Sequence, residues 1–128
     1  MTSRSLPTVD PTQLEMMTGG DAELAAEALD IFRNQAEAWG RLLDPAGDPI
    51  AWSDACHAIK GSARSVGALA LGEACDQAEA LGRSGSVGRT QASVALGEVR
   101  ERMADAIEAL ADLQHRLRLH RAFPRSRR

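Results

Sequence analysis

Aromatic residues are scarce in this chain: Phe32, Phe123, Trp39 and Trp52 are the complete set, and tyrosine is absent. Strands lean on aromatic and β-branched residues, whereas this sequence is rich in alanine and leucine, so helices are favoured over sheets. No alternating strand pattern occurs anywhere along it. Nothing approaches the roughly 20 apolar residues that a membrane-spanning helix needs. The opening MTSRSLPTVDP lacks the apolar run of a signal peptide. Cysteine is nearly absent too. Cys56 and Cys75 make no disulfide framework, and neither sits in a metal-ligand cluster. A soluble protein in a reduced, cytoplasmic setting is expected.

Positive charge is thin outside the termini. The formal charge is -3, from 15 Lys and Arg against 18 Asp and Glu; without Arg4, Arg121, Arg125, Arg127 and Arg128 the body holds 10 against 18, a balance of -8. Such a body repels nucleic acid and anionic membrane, so neither is an expected partner. The basic tail RAFPRSRR is short and reads as a frayed, solvated terminus. A chain of 128 residues is one ordinary domain with room for a real core.

What is present is helical periodicity. Residues 1–9 read as a flexible leader and 120–128 as a basic flexible tail, with a helical body over 10–119. Asp10 as N-cap, Pro11 at the first helical position and Gly19-Gly20 as the stop define a short lead-in helix. Asp21 caps a second helix ending near Leu43, whose stripe is Leu24, Ala28, Ile31, Phe32, Gln35, Trp39 and Leu42. DPAGDP is a turn. A third helix, from about Pro49 to Val66, carries Trp52, Cys56, Ile59, Ala63 and Val66 on one stripe, and Gly67 closes it. A fourth, Ala68 to about Leu81, carries Leu71, Cys75, Ala78 and Leu81; GRSGSVGR follows as a loop. The last helix, Thr90 to about Leu119, has Val99, Met103, Ile107, Leu110, Leu113 and Leu117 on its seam. The economical fold is all-α: an antiparallel up-down four-helix bundle with a short N-terminal lead-in helix.

The stretch CHAIKGSARSVG carries the chemistry. A glycine inside a helix costs about 1 kcal/mol relative to alanine, so Gly61 needs a reason. On a wheel of about 100° per residue, His57, Lys60 and Arg64 fall roughly 130° or more from the centre of the buried stripe, with Gly61 on their flank. An exposed imidazole offers a nitrogen nucleophile near neutral pH, and a phosphoryl group placed there brings about two negative charges. Lys60 is placed to offset that charge, and Arg64 to add to it. At residue 61 a missing side chain lets another protein's backbone approach the ring. Taken singly, each of these residues is more simply an ordinary solvated helix-surface residue, and Gly61 fits close packing of a neighbouring helix.

Taken together, HAIKGSARSVG resembles the signature of histidine-containing phosphotransfer (HPt) domains: a histidine, lysine at +3, glycine at +4, a small residue at +5 and glycine at +10, here His57, Lys60, Gly61, Ser62 and Gly67. The likeness extends over about residues 10–118. LEMMTGGDAELAAEALDIF is similar to the family's opening, and ALALGEACDQAEALGRSG to the helix after the motif, with Glu79 facing the histidine. The resemblance implies a phosphorelay intermediate. His57 accepts a phosphoryl group from an aspartate on one receiver domain and passes it to an aspartate on another, the receivers being those of a hybrid histidine kinase and of response regulators. Lys60 and Gly61 take the family's lysine and small-residue roles, and Glu79 orients the ring. Arg64 rests on the wheel argument alone. The receivers bring the Mg²⁺, so no cofactor of the chain's own is expected, and the fold needs no dimer. No kinase nucleotide site appears, which points to a carrier without autokinase activity.

Two other readings stand beside this one. The first is a non-catalytic helical module that recruits or sequesters a receiver. The second is a dimeric histidine phosphotransferase, which needs a catalytic domain this length does not provide. Met16 and Met17 fit either receiver docking or packing against the bundle. His115 and His120 read as solvated surface, and Cys56 and Cys75 as core on facing helices.

Overall fold

In the computed structural model, residues 6–124 are described, and they form five helices. These are α1 (Pro11–Met17), α2 (Ala22–Gly40), α3 (Pro49–Ser65), α4 (Leu69–Arg83) and α5 (Arg89–His120), with no strand among the described residues. Helix starts follow the caps in the sequence. Asp10, Asp21 and Asp48 each accept from backbone N–H groups of the first turn, and prolines fill the opening positions of α1 and α3. At α5 the Gln91 side chain reaches back to the Gly88 N–H at 3.0 Å.

The four long helices pack as an antiparallel bundle, in which α3 and α4 make the most extensive interface and α5 spans α4 and α2. Trp52, Ile59, Leu71, Leu96, Val99, Leu110 and Leu117 are almost wholly removed from water in this core. Cys56 and Cys75 are free, buried thiols within it. The Cys56 contact and then burial push the Cys75 thiol up, so it behaves as a small apolar filler. Across α2 and α5 the buried Gln114 amide donates to Ala26 O at 2.7 Å and Asp30 Oδ1 at 2.9 Å, and its oxygen accepts from Arg33. Arg100 of α5 closes the C-terminus of α2 by donating to Gly40 O at 2.9 Å and Leu43 O at 2.7 Å.

Three expectations are corrected. Helix α2 ends at Gly40, and only part of its expected stripe faces inward: Phe32 is buried, and Ala28 and Trp39 pack against the core. Leu24, Ile31 and Leu42 are exposed, while Ala22, Ala25, Ala26, Leu29, Phe32 and Ala36 line the core. Alanines make up most of this contact beside Leu29 and Phe32 and let α2 approach its neighbours closely, so Leu24 and Ile31 do not mark the inner face. The leader is also tied down before residue 10: Ala70 N–H donates to Pro7 O at 3.1 Å, and Val9 packs on the core. At the other end Phe123 packs on the core just after the left-handed Arg121 that ends α5. Residues 1–5 and 125–128, the rest of the expected leader and tail, lie outside the described residues.

Gly67 makes the α3–α4 turn. Its φ of +85° is a region that favours glycine, and its carbonyl accepts from Asp10 N–H at 2.7 Å. A Cβ there would overlap the Asp10 carbonyl oxygen. Gly67→Ala is therefore expected to cost about 3 kcal/mol, from backbone strain plus steric overlap. Gly97, on an open stretch of α5 with nothing within 4 Å of an added Cβ, is expected to gain about 0.5–1 kcal/mol on the same change. Urea denaturation of both variants checks this pair; equal effects would refute the assignment of Gly67 to the turn.

Candidate functional site

The antiparallel packing of α3 on α4 brings residues three apart on one helix opposite residues three or four apart on the other. Asp54, His57 and Lys60 of α3 thus meet Arg83, Glu79 and Asp76 of α4 in reverse order. Glu79 is the centre of this ladder. His57 Nδ1 lies 3.0 Å from Glu79 Oε2, Arg83 Nε donates to the same oxygen at 3.2 Å, and Lys60 Nζ stands 2.8 Å from Oε1. Lys60 also donates to Asp76 Oδ1 at 3.0 Å, and Arg83 to Asp54 Oδ1 at 2.9 Å.

These contacts fix the chemistry of the carboxylate. Contact with Lys60 first, and then with Arg83, lowers the Glu79 pKa to about 2 from 4.5, against the opposing effect of burial. The Glu79 side chain is only 13% exposed and stays ionised at any physiological pH. Its two carboxylate neighbours, Glu79 and then Asp76, push Lys60 up, so the ammonium is permanent as well.

An ionised carboxylate can only accept, so Nδ1 of His57 carries the proton. In the neutral ring the lone pair then sits on Nε2, which has no protein partner among the described residues. The side chain is 65% exposed. One turn along, Gly61 is exposed and a Cβ there would meet nothing within 4 Å. The site is an open-faced imidazole with one nitrogen anchored and the other turned loose.

His57, Lys60 and Glu79, all named from sequence, come together, and Gly61 borders them. Lys60 does not stand free beside the ring: its side chain is 17% exposed and lies between two carboxylates. Arg64 lies apart, its side chain running along Gly72 of α4 with Cγ 3.1 Å from where a Cβ would sit. Met16 and Met17 are 71% and 60% exposed, which rules out packing of these side chains into the bundle. Sequence reasoning missed Arg83 and Asp54. Their signal was spacing, since Arg83 follows Glu79 by four and Asp54 precedes His57 by three, which puts each on its neighbour's face.

The ion pairing predicts a pH signature. A carboxylate whose folded pKa lies below its unfolded one adds stability that is complete above about 4.5 and is lost as the pH falls toward 2. Glu79→Gln should cost about 1–2 kcal/mol near pH 6. Urea denaturation at stepped pH should show the gap between the two proteins closing on acidification; a gap constant down to the acid limit would contradict the ion-pair account.

Comparison with known proteins bears on the family and the fold. The family model described as the Hpt domain matches residues 21–113. The crystal structure of the histidine phosphotransferase ShpA from Caulobacter crescentus is similar with a TM-score of 0.69 and 36% identity, over 89% of this chain and 97% of that one. The X-ray structure of a rice protein described as a histidine-containing phosphotransfer protein shares the fold, with a TM-score of 0.64 and 24% identity over 87% of this chain and 84% of its own. The chain finds no match among curated protein sequences. Its matched span and its likeness to the Caulobacter protein place it in a family of phosphorelay intermediates: the chain belongs to the Hpt domain family.

Proposed function

We propose that His57 is the phosphoacceptor, and that it takes a phosphoryl group from the aspartate of one receiver domain and gives it to the aspartate of another. The observation that carries this reading is the split of the ring's two nitrogens, Nδ1 held by Glu79 at 3.0 Å and Nε2 without a partner among the described residues on a side chain 65% exposed.

In the forward step the Nε2 lone pair attacks phosphorus, the P–O bond to the donor aspartate breaks, and that carboxylate leaves with the electron pair. Nε2 has no proton to lose, so none needs an acceptor. The product ring, phosphorylated on Nε2 and protonated on Nδ1, is formally cationic, and the Glu79 carboxylate beside Nδ1 stabilises it. Return of the electron pair to Nε2 as the next aspartate attacks reverses these changes. The same contacts serve both directions, as a carrier requires.

In this reading the receiver brings both the aspartate and the Mg²⁺, and the chain works as a carrier without autokinase activity. Met16 and Met17 on α1 belong to the face that meets the receiver, and Gly61 is the gap through which the receiver's loop reaches the ring. Lys60 and Glu79 act on His57 through their contacts with each other, Lys60 by fixing Glu79 and Glu79 by fixing the ring. Arg64, whose stem runs along Gly72 of α4, is assigned no part in the transfer in this reading.

Incubation with a phosphorylated receiver should give wild type an acid-labile, alkali-stable label that His57→Gln lacks. Equal labelling of both proteins, or a receiver bound by the wild type without any label passing, would overturn the carrier reading. Gly61→Leu should slow transfer about 10- to 100-fold, the scale set by displacing reacting groups by about 1 Å, with far-UV circular dichroism unchanged. Transfer at the wild-type rate would remove the access role of Gly61.

A further inference from the structure

The phosphoryl group brings about two negative charges to Nε2, and three basic side chains stand on this face: Lys60, Arg64 and Arg83. Lys60 is already spent, its ammonium 2.8 Å from Glu79 Oε1 and 3.0 Å from Asp76 Oδ1. Arg64 is two turns along α3, roughly 10 Å of helix rise from His57, with its stem on Gly72. Arg83 is the cation that shares an atom with the histidine, its Nε and His57 Nδ1 both meeting Glu79 Oε2.

Arg83 is also lightly held. Its side chain is 41% exposed, and the end of its guanidinium is engaged by Asp54, itself 65% exposed. An exposed ion pair of this kind is cheap to break. A phosphoryl group is a stronger lure than a single carboxylate, because it offers more charge and a matching set of oxygens to the guanidinium fork.

On the reading that His57 is phosphorylated, we propose that Arg83 is the cation that meets the phosphoryl group and that Asp54 holds it in reserve, the two residues together setting the lifetime of phosphohistidine. Hydrolysis forms a bond from water oxygen to phosphorus and breaks the P–Nε2 bond, whose electron pair returns to the ring while the water protons pass to phosphate and solvent. That reaction runs through a loose, metaphosphate-like transition state driven by electron push from the phosphoryl oxygens. A guanidinium on those oxygens opposes the push and slows the loss. A free Asp54 carboxylate competes for the guanidinium and hastens it. Arg83 is thus a ligand of the phosphorylated state, and Asp54 acts only through Arg83.

The test uses the full chain, labelled with phosphoramidate or a phosphorylated receiver, freed of donor and Mg²⁺, and followed by ³¹P NMR. Arg83→Gln should shorten the phosphohistidine lifetime about two- to fivefold, the range an exposed ion pair delivers. Asp54→Asn should lengthen it by a similar factor, and Arg83→Lys should restore part of the wild-type lifetime. The double variant should decay like Arg83→Gln alone. A purely structural bridge predicts shifts of the same sign from either partner, so equal signs, or an unmoved lifetime in both, would overturn the proposal; Asp54→Asn without effect would remove the restraint assigned to Asp54. A wild type that takes no label from either donor would instead refute the phosphoacceptor reading of His57. Both substituted side chains are on the surface, and circular dichroism confirms that each variant is folded before decay is scored.

Discussion

Everything at this site hangs on one carboxylate. Glu79 gives Oε1 to Lys60 and Oε2 to His57 and Arg83, and no other group on the face touches all three. Two cations keep it ionised, and an ionised carboxylate dictates which ring nitrogen holds the proton. That leaves the lone pair on Nε2, facing solvent. The protonation pattern of the histidine is thus decided on the helix opposite the one that bears it.

The bundle exists, from this viewpoint, to hold α3 and α4 in register. Gly67 makes their connection tight, and the leader pins it through the Asp10 N–H and the Pro7 carbonyl. At the far end of the pair, Gly82 lies so close to Trp52 and Ser53 that α4 has no room for a side chain there. A slip of one residue between the helices would carry Glu79 off the ring and strand Lys60 without its partner. On α3 the exposed face at Gly61 leaves a side chain out, at about 1 kcal/mol of helix stability.

Much of this was legible in the sequence because it was local. Caps, turns and the spacing of His57, Lys60 and Gly61 on one helix face are read directly from neighbours in the chain, and the resemblance to phosphotransfer domains added Glu79. What failed was not local. The inner face of α2 was misread because alanines, not Leu24 and Ile31, face its neighbours, and nothing within one helix says which side the rest of the bundle will cover. Lys60 looked like a free cation because its two carboxylate partners, Glu79 and Asp76, lie on the next helix. Arg83 and Asp54 went unnoticed for the same reason: each is an ordinary surface residue until the antiparallel register of α3 and α4 brings them together.

The central claim is that Glu79 reserves Nδ1 and releases Nε2. The most direct measurement is ¹⁵N–³¹P coupling in the ring of phosphorylated, ¹⁵N-histidine-labelled protein. The account predicts phosphorus on Nε2 of His57 with Nδ1 protonated. Phosphorus on Nδ1, or on His115 or His120 in place of His57, would contradict it.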